Sequence, residues 1–287
     1  MLNIEHPVPK SASSTLPTVS VIVPTRNSVR TLRACLSSVR AQTYPKIELI
    51  VVDNKSGDGT VRVAQELADH VVDWGPERTA QRNRGALIAQ GRFLLFIDSD
   101  MVLSPGVVSD CLAAAAASEA PAVVIPETST GVGFWAKCRA HERACYVGDD
   151  LIEAARFIDQ RKFQSVGGYD ERLIGGDDWD LSRRVAQGFR LPRTESVIIH
   201  DEGRIILRRW LAKKAYYAGS FSAYHAKYGA TALRQANLVF RSAFIRHWRR
   251  LALHPVLTLG LFCLKGMELT ASTWGFVTSA RRAGGPG

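Results

Sequence analysis

The sequence predicts an α/β fold: a mostly parallel sheet flanked by helices, followed by a C-terminal helical extension. Two observations lead to this prediction. Over the first third of the 287 residues, short apolar runs alternate with segments of helical spacing. These runs are continuously apolar, which is typical of parallel strands that are buried on both faces. From Arg204 to Val277 the spacing of apolar residues is helical.

The predicted elements follow one another in a regular order. Strands end at polar residues, and the helices between them carry apolar residues three or four positions apart. The predicted strands are Val19–Val23, Ile47–Val52, His70–Val72 and Phe93–Ile97, and the predicted helices span 29–39, Val61–Ala68 and Thr79–Gln90. Ser104 and Pro105 then predict an N-cap and a first helical position for an Ala-rich helix that runs to Ser118. A stretch richer in turns, Pro126–Arg193, precedes the C-terminal helices.

The beginning of the chain and its cysteines indicate where the protein works. Residues 1–17 contain three prolines and no apolar stretch, so we expect a flexible leader and no signal peptide. None of the five cysteines belongs to a C-x-x-C pair. An odd number in a chain of this length indicates reduced thiols, and we expect a cytoplasmic protein.

The positive charge is concentrated near the C-terminus. The net charge is +10, and between Asp201 and Arg250 only Asp201 and Glu202 oppose a run of basic residues. Such a field suits nucleotide phosphates, nucleic acid or an anionic lipid surface. The basic residues are Arg204, Arg208, Arg209, Lys213, Lys214, Lys227, Arg234, Arg241, Arg246, Arg249 and Arg250.

The apolar segment Leu251–Val277 is too interrupted to predict a membrane-spanning helix, because His254, Pro255, Lys265 and Glu268 break it. We interpret it as helices that lie in a membrane surface, and the alternative is a soluble helical cap on the core. Aromatic residues beside the basic ones favour the membrane surface. They are Trp248, Phe262, Trp274 and Phe276. We therefore expect peripheral binding to the inner face of the cell membrane.

Polar residues follow three of the predicted strands, where open α/β sheets bind their ligands. They are Pro24-Thr25-Arg26-Asn27, Asp53-Asn54 and Asp98-Ser99-Asp100. Asp98 and Asp100 are separated by one residue, so their side chains point the same way if the strand continues. Carboxylate oxygens of this kind suit Mg²⁺ or Mn²⁺, and such an ion binds a diphosphate.

A second acidic group, Asp177-Asp178-Trp179-Asp180, precedes a helical run. One acid would suffice as an N-cap, and three acids within four residues exceed that need. One of them could act as a general base toward a hydroxyl. His200 follows the apolar run Val197–Ile199, where a lone histidine is more often structural than a ligand. Arg82 and Asn83 could contact a base or a phosphate, or could belong to a solvated helix face.

Together these segments resemble family-2 nucleotide-sugar glycosyltransferases of the GT-A fold. The likeness covers roughly Thr18–Arg204 and rests on motifs in the family's order. These motifs are Val-Ser-Val-Ile-Val-Pro-Thr-Arg-Asn (19–27), Ile-Glu-Leu-Ile-Val-Val-Asp-Asn-Lys-Ser-Gly-Asp-Gly-Thr (47–60), Arg-Asn-Arg-Gly (82–85), Phe-Ile-Asp-Ser-Asp (96–100), and Val-Gly-Gly-Tyr-Asp-Glu (166–171) leading to Gly-Asp-Asp-Trp-Asp-Leu (176–181).

The resemblance implies a catalytic domain at 18–203, with a donor half at 18–125 and an acceptor half at 126–203. Residues 204–287 would form the basic, amphipathic helices. The residues implied for each role are Pro24, Thr25, Arg26, Asn27, Asp53, Asn54, Arg82, Asn83, Asp98 and Ser99 at the donor, Asp100, His200 and Asp98 at the metal, Asp178 or Asp177 as the base, and Trp179, Gly176 and Arg204 on the acceptor side.

The implied reaction is an inverting transfer from a nucleotide-sugar, with UDP-sugars favoured, and it depends on Mn²⁺ or Mg²⁺. The acceptor would be a glycan or a lipid-linked hydroxyl. One alternative is a nucleotidyltransferase, which normally has a Gly-rich phosphate loop that Pro24–Ser28 does not provide. Another is a non-catalytic basic scaffold that binds membrane or nucleic acid. We do not expect nucleic acid as a partner, because the acidic clusters would repel its phosphates.

Overall fold

The computed structural model describes residues 16–236 and 241–283. The predicted leader therefore lies outside the described residues, except for Leu16 and Pro17. The strands are β1 (Val19–Thr25), β2 (Ile47–Asp53), β3 (His70–Asp73), β4 (Phe93–Phe96), β5 (Met101–Leu103), β6 (Ala122–Val124), β7 (Glu127–Val132), β8 (Ala155–Asp159) and β9 (Ile198–Arg204). The helices are α1 (Val29–Arg40), α2 (Thr60–Leu67), α3 (Arg78–Ile88), α4 (Val107–Ser118), α5 (Phe134–Arg143), α6 (Gln160–Ser165), α7 (Asp177–Val185), α8 (Leu207–Ala218), α9 (Phe221–Tyr228), α10 (Ala230–Ala236), α11 (Ser242–Arg246), α12 (Trp248–Leu253) and α13 (Pro255–Ala283).

The main sheet has six strands in the order β3-β2-β1-β4-β8-β6. The first four are mutually parallel, and β8 runs antiparallel to both β4 and β6. The prediction of a mostly parallel sheet is confirmed. All residues of β1 are buried, so both faces of this central strand are covered. Helices α1, α2 and α4 pack on one face, and α3, α6 and α7 pack on the other.

A glycine allows α3 to lie close to the sheet. A Cβ at Gly85 would come within 2.5 Å of the Ile22 side chain, so a larger residue would push the helix away. The sequence segment Arg-Asn-Arg-Gly therefore sits on a tightly packed helix, with Arg82 facing the interior of the protein. The interpretation of this segment as a solvated helix face is wrong.

A second, three-stranded sheet has the order β5-β9-β7. The sequence did not predict β5 or β7, and β7 in particular has the polar sequence Glu-Thr-Ser-Thr-Gly-Val because much of it is only half-buried. His200, which was placed after a strand, lies within β9 opposite Met101. The backbone of Asp201 donates to the carbonyl of Asp100 at 2.8 Å, so this sheet brings His200 to the end of β4.

Helix α4 begins later than predicted, at Val107, after a turn that starts at Ser104. Ser104 is not its N-cap. Its hydroxyl donates to the carbonyl of Val197 at 3.0 Å and accepts the amide of Val197 at 3.1 Å. These bonds connect the turn to Val197, the residue before β9. The N-cap of α4 is Gly106 instead.

The C-terminal helices pack against the preceding part of the chain. Helix α13 lies against α8 and α5, and buries Leu261, Leu264, Lys265 and Glu268. The outer face of α13 is exposed. In the part of the chain that the structure describes, no helix combines the length and the apolarity that crossing a membrane requires.

Candidate active site

A cleft runs from the carboxyl ends of β1 and β4 to the start of α7. It consists of two adjoining cavities. The sheet-edge cavity, of about 400 Å³, is lined by Thr25, Asp98 and Asp100 among others. The α7 cavity, of about 380 Å³, is lined by Asp177, Asp178 and neighbouring residues. The two share a wall formed by Arg78, Asp98, Arg139, Arg143, His200, Lys214 and Tyr217.

Asp100 and His200 meet at the sheet-edge cavity. His200 Nε2 lies 3.0 Å from Asp100 Oδ1, and the other ring nitrogen is 2.8 Å from a guanidinium nitrogen of Arg143. Arg143 also pairs with Glu127, and Glu202 lies near the same ring. The histidine ring is therefore held by contacts on both of its nitrogens. The main-chain pairing of β5 with β9 places it there.

Arg82 connects the two ends of the cleft. Its guanidinium has no exposed surface and lies 2.7 Å from Asp98, 2.9 Å from Asp177 and 2.7 Å from Asp178. The guanidinium carbon is also 5.0 Å from the centre of the Tyr169 ring. Arg82 was predicted to contact the donor substrate. In the structure it is buried instead, and every charged partner that the structure gives it is a carboxylate of the protein.

Asp177 and Asp178 differ in accessibility. The Asp177 side chain is 2% exposed and is held by Arg78 at 3.0 Å as well as by Arg82. The Asp178 side chain is 22% exposed, and its second oxygen lies 3.8 Å from Arg156. Both line the α7 cavity, but only Asp178 offers a carboxylate with appreciable exposed surface.

The electrostatic environment shifts the pKa values of Asp177 and Asp178 in opposite directions. Burial raises the pKa of Asp177, and this effect prevails over the opposing charge of Arg78. Burial also acts on Asp178, but Arg82 and Arg156 outweigh it and hold the pKa of Asp178 below its ordinary value. For Asp98 the charges of Arg82 and Arg78 likewise overcome burial and lower the pKa. Asp178 and Asp98 are therefore ionised at neutral pH.

The start of α7 is shaped by Gly176. This N-cap residue has a φ of +81°, and a Cβ there would lie 3.0 Å from the Tyr224 ring. No side chain caps the helix, so the structure does not support N-capping as the reason for the acids. Trp179 donates from its indole to the carbonyl of Ile152 at 2.8 Å and borders the α7 cavity. Arg204 is exposed at the end of β9 and lines neither cavity.

The residues predicted at the donor take different positions. Four of them line the sheet-edge cavity beside Asp98, namely Pro24, Thr25, Arg26 and Ser99. Asp53 lies just behind: its carboxylate accepts the hydroxyls of Thr25 at 2.8 Å and of Ser56 at 2.6 Å.

Three asparagines lie outside both cavities and hold loops in place. Asn27 accepts the amide of Gly57, and Asn54 donates to the carbonyl of Pro76. Asn83 exchanges hydrogen bonds with the backbone of Tyr169 and donates to Glu171. For Asn83 this corrects the predicted contact with the donor substrate, because its side-chain amide bonds to Tyr169 and Glu171 outside both cavities.

Helices α5 and α8 contribute cleft residues that the sequence reasoning missed. From α8 come Trp210, Lys213, Lys214 and Tyr217, and from α5 come Arg139 and Arg143. Lys213 and Arg26 form no ion pair with the described residues. For the residues of α8 the available signal was the concentration of Arg and Lys after β9, which the sequence analysis assigns to nucleotide phosphates, nucleic acid or a lipid surface without placing it in the cleft.

Residues 20–225 match Glycosyl transferase family 2. This region is more than half of the chain and contains Asp98, Asp100, Asp177 and Asp178. The chain belongs to this family. Membership decides against a nucleotidyltransferase.

Similar proteins are glycosyltransferases. The chain is 29% identical over 243 residues to the Pre-mycofactocin glycosyltransferase of Mycobacterium tuberculosis, which covers 76% of this chain and 49% of that protein. It is 39% identical over 97 residues to Glycosyltransferase AglE of Haloferax volcanii, which covers 31% of this chain and 32% of that protein. The chain thus spans half or less of the length of these curated relatives.

Solved structures share the fold. The mannosyltransferase PcManGT of Pyrobaculum calidifontis, in complex with GDP-Man and Mn²⁺, has a TM-score of 0.58 at 19% identity, over 95% of this chain and 77% of that one. S. aureus TarS 1–349 in complex with UDP has a TM-score of 0.53 at 18% identity, over 93% and 92% of the two chains. At these identities the likeness establishes a GT-A fold for this family-2 glycosyltransferase.

The chemistry of the Asp100–His200 pair fits a divalent cation. An imidazole nitrogen and a carboxylate oxygen are both metal-ligating atoms, and here they lie 3.0 Å apart at the edge of the sheet. Mg²⁺ in such sites is bound through one or two carboxylates and completes its shell with substrate phosphates and water, and Asp100 would supply the carboxylate. Within residues 16–236 and 241–283 no three His, Cys, Asp or Glu side chains come together as a metal site. Asp98 pairs with Arg82 through Oδ1, and its role as a third ligand stays a prediction.

Proposed function

We propose that this glycosyltransferase transfers a hexosyl or pentosyl group, with inversion, from a nucleotide diphosphate-sugar to a hydroxyl of a lipid-linked or cell-envelope glycan. A UDP-sugar is the favoured donor. One observation carries the proposal: Asp178, ionised and accessible, lies in a cleft that continues directly to the Asp100–His200 pair. A base and a diphosphate site at opposite ends of one cleft are what a single displacement requires.

The chain's own residues account for the transfer. The donor lies in the sheet-edge cavity, with its nucleotide near Pro24, Thr25 and Asp53. Asp178 accepts the proton of the acceptor hydroxyl, whose oxygen forms a bond to the anomeric carbon. The bond from that carbon to the diphosphate oxygen breaks, and the electron pair leaves with the nucleoside diphosphate. Attack from the face opposite the leaving group inverts the anomeric configuration.

Positive charge around the sheet-edge cavity stabilises the leaving diphosphate. Arg26, Lys213 and Lys214 line this cavity and are aligned before the reaction begins, so little reorganisation is needed. Asp100 and His200 would hold a Mn²⁺ or Mg²⁺ ion, which supplies Lewis-acid charge to the diphosphate when bound.

We retain the division into a donor half at 18–125 and an acceptor half at 126–203, and assign to 204–287 a share in the cleft through α8. We further propose that the protein is cytoplasmic and binds peripherally to the inner face of the cell membrane. The support is an exposed apolar surface on α11–α13, made of Ile245, Trp248, Leu253, Val256, Leu259, Phe262, Trp274 and Val277, with Arg249 and Arg250 exposed beside it.

The decisive experiment is a donor screen. The full chain is incubated with UDP-, GDP- and dTDP-sugars in the presence of Mn²⁺ or Mg²⁺, and the released nucleoside diphosphate is measured. We expect slow hydrolysis of one donor class that is abolished by a chelator. Release from none of these donors, with either metal, would refute the proposed reaction.

A further inference from the structure

Two largely buried side chains in the wall of the α7 cavity carry polar atoms without a hydrogen-bond partner. Glu153 and Arg156 both line this cavity, and each side chain is only 8% exposed. Glu153 Oε1 and Arg156 Nη1 form no hydrogen bond with any described residue. A buried polar atom left unpaired costs about 1–3 kcal/mol. Such atoms beside a cavity therefore point to a ligand that completes their hydrogen bonds.

The remaining atoms of both side chains are held firmly. Glu153 Oε2 accepts the amide of Gly148 at 2.9 Å and Arg193 Nε at 2.7 Å. Arg156 Nε donates to Glu127 Oε1 at 2.6 Å. These contacts fix the orientation of the carboxylate and the guanidinium, so the two unpaired atoms are preorganised.

Each side chain also has an oppositely charged neighbour. Arg193 lies between Glu153 and Asp150, and Glu127 lies between Arg156 and Arg143. What remains unpaired is one hydrogen-bond acceptor and one donor. A sugar hydroxyl can satisfy either, since it both donates and accepts. A phosphate or a carboxylate has no proton to donate to Glu153 and would be repelled by it.

The position of the pair relates it to the reaction. Arg156 Nη2 lies 3.8 Å from Asp178 Oδ2, so a group bound at Nη1 is one guanidinium away from the proposed base. Trp179 and Ile152 add apolar surface to the same cavity. Glu153 and Trp179 also border a smaller pocket of about 290 Å³ behind the cleft, but Arg156 does not. The two side chains therefore converge on the cleft alone.

We infer that Glu153 and Arg156 form the specificity-determining part of an acceptor subsite that binds neighbouring hydroxyls of an uncharged sugar ring. This inference rests on the proposed glycosyl transfer. It restricts the acceptor to a neutral glycosyl unit at this position, whatever phosphate or lipid lies further away. Anionic sugars such as uronic acids are rejected.

The test uses the full chain, the donor found by the screen, and p-nitrophenyl glycosides as acceptors. Neutral glucoside, galactoside, mannoside and N-acetylglucosaminide are compared with the glucuronide. The readout is the ratio of sugar transfer to donor hydrolysis, with saturation-transfer NMR reporting binding. We expect at least one neutral glycoside to bind and be extended, and the glucuronide to be excluded.

Glu153→Gln is the informative variant. It keeps the shape but replaces an acceptor-only carboxylate by an amide, so we expect the transfer-to-hydrolysis ratio to fall by roughly tenfold and the discrimination against the glucuronide to decrease. Glu66→Gln, an exposed acid on α2 paired with Arg33, is the matched control and should keep the ratio.

The outcomes separate the two proposals. Absence of donor hydrolysis in the unmodified protein counts against glycosyl transfer, and glycoside binding by NMR still reports on the subsite. With hydrolysis present, the inference is overturned if no neutral glycoside binds, if the glucuronide binds equally well, or if Glu153→Gln leaves the ratio unchanged.

Discussion

Arg82 donates a 2.7 Å hydrogen bond to Asp178 Oδ1 from a guanidinium with no exposed surface. The same guanidinium reaches Asp98 at the edge of the sheet. One buried cation therefore sets the position and the charge of carboxylates at both ends of the cleft. A buried charge in contact with three carboxylates lowers the cost of keeping them ionised.

Replacing Asp178 by Asn should remove the proposed general base and leave the shape of the cleft intact. We expect turnover to fall by about 10²–10⁴, with little change in donor binding. Steady-state kinetics and calorimetric titration with the donor measure the two effects. Asp69→Asn, at an exposed ion pair with Arg40, serves as the control. If Asp178→Asn keeps its turnover and Asp177→Asn loses it, Asp177 is the base.

Replacing Arg82 by Gln should destabilise the fold, because the carboxylates that it contacts are left without their shared partner. Breaking a buried ion pair from one side costs about 3–5 kcal/mol, and we expect that loss at neutral pH. Arg33→Gln breaks an exposed pair and should cost less than about 1 kcal/mol. Chemical denaturation measures both.

The loss of folding stability in the Arg82→Gln variant should depend on pH. In the unmodified protein the pKa values of Asp98 and Asp178 are lowered, so their stabilising contribution is present above the ordinary carboxyl pKa and is lost as the pH falls below it. Without Arg82, burial raises these pKa values, and acidification relieves the unpaired charge. The deficit of the variant should shrink between neutral and mildly acidic pH. A deficit that is independent of pH would contradict the assignment.

Removing either member of the Asp100–His200 pair should weaken metal and donor binding together. We expect Asp100→Asn and His200→Ala to require at least about tenfold more Mn²⁺ for half-maximal donor hydrolysis, by analogy with the loss of a metal-binding contact. The donor KM should rise in parallel. Asp201 occupies the next position of the strand and pairs with exposed Arg30. The variant Asp201→Asn is therefore the control. Equal metal requirements in all variants would show that the ion is bound elsewhere.

Lys214 should give the reaction an alkaline limit. Burial lowers the pKa of Lys214 to about 8, against the opposing charge of Glu268. The charged groups around it are Glu268 and Lys265 on α13 and Arg139 and Glu142 on α5. Below this pKa the amine is positively charged and can bind the diphosphate.

Above pH 8 the amine loses its proton, and kcat/KM for the donor should fall by about tenfold or more, since a hydrogen bond to a charged group contributes about 1.5–3 kcal/mol. Lys214→Arg stays charged and should shift the fall to higher pH. For Lys214→Met, kcat/KM should be low at every pH. Identical pH profiles for the Lys and Arg forms would assign the alkaline limit to another group.

The parts of the site that follow local rules were predictable from the sequence. β1, β2 and β4 are short apolar strands, and their parallel order places Thr25, Asp53 and Asp98 at one edge. The acids at the start of α7 stood out because capping does not need three of them.

Other parts depend on contacts between distant segments. β7 is polar because much of it is half-buried, so its pattern resembles a loop. Arg82 looks like a surface residue in the segment Arg-Asn-Arg-Gly, and only the packing of α3 on the sheet reveals that it is buried. Lys214 reaches the sheet edge because α8 folds back over it. Glu153 and Arg156 carry no motif, and their unpaired atoms appear only in three dimensions.

The exposed apolar surface on α11–α13 leads to the last prediction. Trp248 and Trp274 are 60% and 71% exposed, and Arg249 and Arg250 lie beside the first of them. We expect the full chain to co-sediment with vesicles that contain phosphatidylglycerol and not with pure phosphatidylcholine, and salt should weaken the binding. Each basic residue near an anionic surface contributes about 1 kcal/mol.

The double variant Arg249→Gln with Arg250→Gln should therefore reduce partitioning roughly 30-fold. Arg62→Gln with Arg161→Gln removes the same charge from exposed positions on α2 and α6 and is the matched control. If the control weakens binding as much, the attraction comes from net charge and not from this surface. If neither vesicle type binds the protein, the surface does not meet a membrane, and the proposal of peripheral attachment has to be given up while the glycosyl transfer reaction stands.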